Sequence, residues 1–291
     1  MQPSIIAPDI RDLGTFSVRR LLPGRGRRTV GPFIFWDHFG PVTLPPGTGV
    51  DVRPHPHIGL ATVTYLFEGE IMHRDSLGCV QAIRPGAVNW MTAGRGIVHS
   101  ERTADDKRAQ AKRLHGLQIW LALPDEQEDA APAFRHYPAG SLPLFEHEGV
   151  MMTLIAGNAL GEASPVQVLS PLFYLEARLQ AGQSFQLPDE YPERAVYVAQ
   201  GAVTADGTPV DSYHMALFEP GGTPVIEAPE GARLAVLGGE PVGERHIWWN
   251  FVASTRERIR AAAEEWAGGG FERVPGDDEF IPLPDELPWQ D

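Results

Sequence analysis

Arg53-Pro54-His55-Pro56-His57 and Gly94-Arg95-Gly96-Ile97-Val98-His99-Ser100-Glu101 are the two stretches around which the chain is organised. In an extended strand successive side chains alternate between faces, so His55 and His57 point one way, and His99 and Glu101 also share a face. Two such strands lying close together with those faces inward bring three imidazoles and a carboxylate to one point. That is the outline of a metal site on the wall of a β-barrel. Pro56 cannot donate to a strand ladder, which favours the beginning or the edge of a strand there.

The surrounding sequence reads as strands throughout. Residues 31–41 form an apolar, aromatic run bracketed by Gly and Pro, and predict one buried strand with turns at both ends. Residues 62–67 are rich in β-branched and aromatic types, and Glu68-Gly69-Glu70 supplies a turn, so a hairpin leading into Ile71 is expected. Short candidates follow at 79–83, 87–91 and 117–123, with a polar loop between Arg102 and Arg113. A second set comes after Pro138, at 151–156, 172–179, 195–203, 215–218 and 233–237. Close punctuation without helical periodicity argues for an all-β sandwich or barrel.

Tyr65-Leu66-Phe67-Glu68-Gly69 can be laid against Tyr197-Val198-Ala199-Gln200-Gly201, matching aromatic, apolar and turn positions. On that register His55 falls opposite Leu187 and His57 opposite Asp189, so the second half repeats the architecture without the ligands. One helix is predicted where Ser254-Thr255-Arg256-Glu257 has the form of a capping box and Ile259, Ala262, Ala263 and Trp266 share a face, with Gly268 ending it. The tail beyond it carries Phe271, Phe280, Ile281, Leu283, Leu287 and Trp289. It is too apolar to stay free, and an extended packed tail is expected.

At 291 residues the chain suggests two domains, and 43% hydrophobic residues are ample for two cores. The expected division is 1–137, holding the ligands, and 138–291, holding none and including the helix and tail. A net charge of −14 argues against direct nucleic-acid binding, which needs a concentrated basic face. Cys79 is the one cysteine, so no intrachain disulfide can form. No signal peptide and no membrane span are legible, and a soluble, cytoplasmic monomer is the expectation.

Gly49, His55-Pro56-His57, Gly69 and Gly96-Ile97-Val98-His99 resemble the two motifs of the cupin superfamily. The longer strings at 31–41, 53–59 and 89–101 resemble the pirin family in particular. The resemblance implies a bicupin of two antiparallel, jelly-roll type β-barrels, with iron or another divalent metal in the first barrel only. Carried over residue by residue, the family's metal ligands fall on His55, His57, His99 and Glu101. Some bacterial pirins are credited with quercetin 2,3-dioxygenase activity, and eukaryotic members act as nuclear regulators of transcription. Ala61 stands where many pirins carry a Glu, so an entrance carboxylate is absent and the pocket is expected to differ there.

A set of three nitrogens and one oxygen suits first-row metals. Fe(II) is the first choice, with Mn, Co, Ni, Cu and Zn compatible. An octahedral ion would keep two positions for water, dioxygen or a chelating substrate, whereas a structural tetrahedral zinc would keep none. The favoured reading is a dioxygenase of quercetin-like flavonols, with Glu101 as both ligand and catalytic base. The alternatives are a metal- or redox-sensing regulator acting through a partner protein, and an enzyme for another enolic or catecholic substrate. His38 and His115 are expected to be core histidines, His73 to lie in a surface loop, and Cys79 to be a small buried hydrophobe.

Overall fold

The run at 31–41 becomes the long strand Phe33–Leu44, buried on both faces over its first eight residues. Its pattern is a continuous apolar stretch rather than an alternation, as expected for a strand covered on both sides. The computed structural model describes residues 2–24 and 26–285. Its elements are almost entirely antiparallel strands, with one α-helix, Arg256–Ala267. No helix among the described residues is long and apolar enough to cross a membrane.

The chain divides into two compact units that are discontinuous in sequence. One comprises Met1–Leu13, Ser17–His38 and Tyr137–Pro241, and the other Gly14–Phe16, Phe39–His136 and Val242–Asp291. The helix and tail therefore belong with the first-half barrel, not with the second, where a linear division at 137/138 puts them. The reason lies in their apolar face. Ile259, Ala262, Ala263, Phe271 and Val274 bury themselves with Ile58, Val98, Phe251 and Ala253 in a single cluster.

In the first-half barrel one sheet has the order Asp51–His57, Ile97–Arg102, Ile71–Asp75, Val80–Ile83. The other runs Ala133–Tyr137, Val88–Thr92, Leu60–Glu68, Lys112–Ala122, and then Phe33–Leu44, whose residues from 39 onward belong to this unit. The expected hairpin at 68–70 is not one. Leu60–Glu68 pairs with Val88–Thr92 and Lys112–Ala122, while Ile71–Asp75 pairs in the other sheet. The turn reverses the chain but also carries it from sheet to sheet, which turn residues alone do not reveal.

The second unit repeats this plan. Gln183–Gln186, Val225–Ala228, Val203–Ala205 and Thr208–Val210 form a four-stranded sheet in the matching order. Glu193–Gly201 sits between Met215–Phe218 and Ala232–Gly239, as Leu60–Glu68 sits between its two neighbours. Gly69 and Gly201 close the equivalent strands at φ 93° and 82°. A Cβ on either would meet a main-chain oxygen, that of Arg113 or of Gly231. This is a duplicated cupin barrel, with the register read from 65–69 against 197–201.

Thr255 caps the helix by accepting from the N–H of Arg258. Ser254, the expected first residue of the capping box, is engaged elsewhere: its N–H and hydroxyl both donate to Glu128. Past the helix the tail runs in extended form, with the N–H of Ile281 donating to Pro54 O at 2.8 Å and Trp266 Nε1 donating to Ile281 O. Leu287 and Trp289 lie outside the described residues.

A Gly69→Ala substitution combines an unfavourable positive φ with the clash against Arg113. It is expected to lower stability by about 2–4 kcal/mol in urea unfolding. A loss under about 0.5 kcal/mol would mean that this turn relaxes freely.

Candidate metal centre

His55 and His57 leave one face of Asp51–His57, and His99 leaves the neighbouring strand directly opposite His55. One ligand atom from each imidazole lies within 4.8 Å of the others, and all three residues are buried. Glu101 stands outside this group of three. Beyond His99 the ladder shifts, so that Glu101 faces Val52 instead of Arg53, the extra residue of a bulge lying in the His55 strand. Glu101 Oε1 is 3.3 Å from Thr64 Oγ1.

Each imidazole is tied through Nδ1. His55 Nδ1 lies 2.9 Å from Arg53 O, and His57 Nδ1 lies 2.9 Å from Asn250 O. A carbonyl only accepts, so both Nδ1 atoms carry the proton and both Nε2 atoms carry a lone pair. His99 Nδ1 faces His73 Nδ1 at 3.4 Å, and its Nε2 faces His57 Nε2 at 3.2 Å. That spacing suits two adjacent donors on one ion, given metal–nitrogen bonds of about 2.1 Å. The donor set therefore fits a first-row divalent metal.

Electrostatics agree with this use. Burial holds His55 down to about 4 and pushes His57 and His99 well below the usual imidazole value, so all three are neutral near pH 7, the form in which an imidazole can bind a metal. Burial also raises the Glu101 carboxyl, opposed by the bond from Thr64. A cation here would relieve the desolvated carboxylate.

Parity explains the rest of the interior. Thr64 touches Glu101, so Thr62 and Thr64 face the ligands while Ala61 lies on the opposite face of Leu60–Glu68. Ala61 therefore does not line the site, and the expected pocket difference there does not arise. Thr64 pairs across the sheet with Gln118 and Asn89, and Thr62 with Trp120 and Met91. The Trp120 ring packs 5.1 Å from that of His57. Thr64 Oγ1 lies 2.9 Å from the Gln118 amide oxygen as placed. One hydroxyl proton cannot serve two acceptors, so the chain is consistent when Gln118 turns its NH₂ to Thr64 and Thr64 donates to Glu101.

Two of the sequence expectations change. His73 is not in a surface loop but buried on Ile71–Asp75, stacked on Phe134 at 4.2 Å and bonded to Asp75. The signal was present, since His73-Arg74-Asp75 has the same i, i+2 spacing as the ligand pairs. Cys79 is half-buried in the turn before Val80–Ile83, its thiol pushed up by burial and by Asp75. His38 and His115 are core histidines, His38 at 2.6 Å from the Tyr197 hydroxyl and His115 against the Phe67 ring.

The family model Pirin matches residues 15–121, and the Pirin C-terminal cupin domain matches residues 174–272. A pirin-like protein of Caulobacter vibrioides is 51% identical over 280 residues, covering 94% of this chain and 96% of its own. A Pseudomonas aeruginosa protein provisionally named a quercetin 2,3-dioxygenase is 41% identical over 259 residues, 88% of this chain and 80% of its own. The crystal structure of a quercetin 2,3-dioxygenase from Acinetobacter baumannii is similar with a TM-score of 0.91 and 36% identity, covering 100% of this chain and 97% of that one.

Burial of the imidazoles makes stability depend on pH. Above about pH 6.5 His55 is neutral in both the folded and the unfolded chain and contributes nothing to the difference. As pH falls from 6.5 toward 4 the unfolded chain takes up a proton that the folded chain refuses. Stability then drops by about 1.4 kcal/mol per pH unit for this residue, and His57 and His99 act in the same direction. Metal-free protein should show a falling thermal midpoint across that window, and His55→Gln should flatten the fall. A flat wild-type profile would contradict the buried neutral cluster.

Proposed function

The chain belongs to the pirin family, and from that premise we propose that its first barrel is a metal-dependent dioxygenase site for flavonols of the quercetin type. The observation that carries the reading is the 3.2 Å contact between His57 Nε2 and His99 Nε2. Both nitrogens bear lone pairs when their Nδ1 atoms donate, and two acceptors held at that distance repel unless a cation lies between them. His55, His57 and His99 would hold the ion, with Glu101 as the fourth ligand and Fe(II) as the favoured metal. When bound, it would supply Lewis-acid charge and redox access to dioxygen.

Glu101 is the base. Its carboxyl shares a strand face with His99, which places it to accept the proton of a flavonol 3-hydroxyl. In that step the substrate O–H bond breaks and a Glu101 O–H bond forms, leaving an electron-rich ring for dioxygen to cleave with release of carbon monoxide. Thr64, bonded to Oε1, steadies the carboxyl through the transfer. Trp120, beside His57, presents an aromatic surface against which a planar substrate can pack.

Fe(II)-loaded protein incubated aerobically with quercetin should lose flavonol absorbance and evolve carbon monoxide, and chelated protein should do neither. Glu101→Gln is expected to lower turnover by about 10²–10⁴-fold, the usual contribution of a general base. Full turnover with full metal content in that variant would remove Glu101 from the chemistry. Inactivity of the wild type with every first-row metal would remove the dioxygenase reading.

A further inference from the structure

The three ring anchors of the cluster differ in kind. Arg53 O and Asn250 O can only accept, so they fix the protonation of His55 and His57 without help. The partner of His99 is another imidazole nitrogen, His73 Nδ1, at 3.4 Å, the longest of the three contacts. An imidazole nitrogen either donates or accepts, so the tautomer of His99 depends on that of His73. The tautomer of His73 in turn depends on Asp75.

Asp75 is fully buried, and its two carboxylate oxygens are used differently. Oδ1 accepts the backbone N–H groups of Leu77 at 2.9 Å and Cys79 at 3.0 Å. Oδ2 lies 2.9 Å from His73 Nε2. In the neutral His73 ring the carboxylate fixes the proton on Nε2, which leaves the lone pair on Nδ1. His99 must then donate from Nδ1, and its own lone pair is on Nε2, pointing at the cluster. The stacked Phe134 ring keeps the His73 plane from turning away.

We propose that Asp75 and His73 are positioning residues that set the tautomer of His99, and through it the affinity and reduction potential of the metal centre. This rests on the metal reading given above. The relay runs in one direction, from carboxylate to His73 to His99. A charged carboxylate at its end makes His99 a stronger electron donor than either carbonyl-anchored histidine becomes. It therefore favours the more oxidised state of a redox-active ion.

The test is Asp75→Asn. The two backbone N–H groups keep the amide oxygen in the Oδ1 position, so the NH₂ group faces His73 Nε2. That nitrogen must now accept, the His73 proton moves to Nδ1, and His99 is left with its proton on Nε2, where the metal needs a lone pair. Co(II) affinity, measured by chelator competition and by the visible absorption of the bound ion, should fall about 10–100-fold. Bound iron should show a more positive reduction potential.

His73→Gln separates the relay from a structural role. Its amide carbonyl can accept from His99 Nδ1 whatever stands at position 75, so Asp75→Asn should cost little Co(II) affinity in that background. An equal loss in both backgrounds would make Asp75 a turn residue only and overturn the relay. Wild-type affinity in Asp75→Asn alone would overturn it as well. Failure of the wild type to bind Co(II) would overturn the metal reading itself, and the relay with it.

Discussion

Two imidazole nitrogens, Nε2 of His57 and Nε2 of His99, held 3.2 Å apart in a buried cluster, form the constraint on which the rest of this unit depends. Left to themselves the rings would rotate or one would take up a proton. Rotation is opposed because each Nδ1 is engaged, and protonation is opposed by burial, which lowers all three imidazoles. The acceptor for His57 comes from far along the chain, at Asn250 in the turn between His246–Trp248 and Phe251–Ala253. Trp249 in that turn has a φ of 53°, uncommon for an aromatic residue, and packs against Phe251 and Trp266. The helix and tail thus do more than cover apolar surface. They hold the carbonyl that fixes the proton of His57.

The same dependence explains why residues 242–285 pack with the first barrel. Phe251 bridges to Ile58, the residue after His57, and Glu128 binds Ser254 by both backbone and hydroxyl. Arg245 donates to Leu123 O, and Arg102, next to Glu101, pairs with Asp277 and Glu279. A pair with an exposed partner, such as Arg102 with Glu279, is worth little by itself. Here such contacts index the segment over a buried apolar cluster that supplies most of the binding energy.

Much of this was legible in the sequence because strand parity is a short-range rule. The pairing of His55 with His57 and of His99 with Glu101 follows from alternation, and the duplicated register from one five-residue comparison. What was not legible depends on which strands become neighbours. Glu68-Gly69-Glu70 announces a reversal but not the passage from one sheet to the other. Thr64, Gln118 and Asn89 look like ordinary strand residues until pairing puts them in one layer. His73 and Asp75 carried the i, i+2 signal, but a flanking arginine made the strand look like a loop. Ala61 was judged by its place in a motif, whereas parity assigns it to the other face.

The duplication also accounts for why one barrel carries the site. On the shared register the layer Asn89, Thr64, Gln118 of the first barrel becomes Ala216, Val196, Val236 in the second, paired in the same way. All three are fully buried in an apolar core with Phe185, Leu187 and Ile226. A buried polar side chain costs about 1–3 kcal/mol unless it is hydrogen-bonded, so a ligand set needs a supporting set behind it. In the first barrel that support is a set of contacts running outward from the cluster: His55 to Arg53 O, His57 to Asn250 O, His99 to His73, and Glu101 to Thr64. A histidine at Leu187 would enter a packed apolar core and one at Asp189 an exposed position, in both cases without the supports that the first barrel supplies. The polar second layer, more than the ligands themselves, separates the two halves of this duplicated fold.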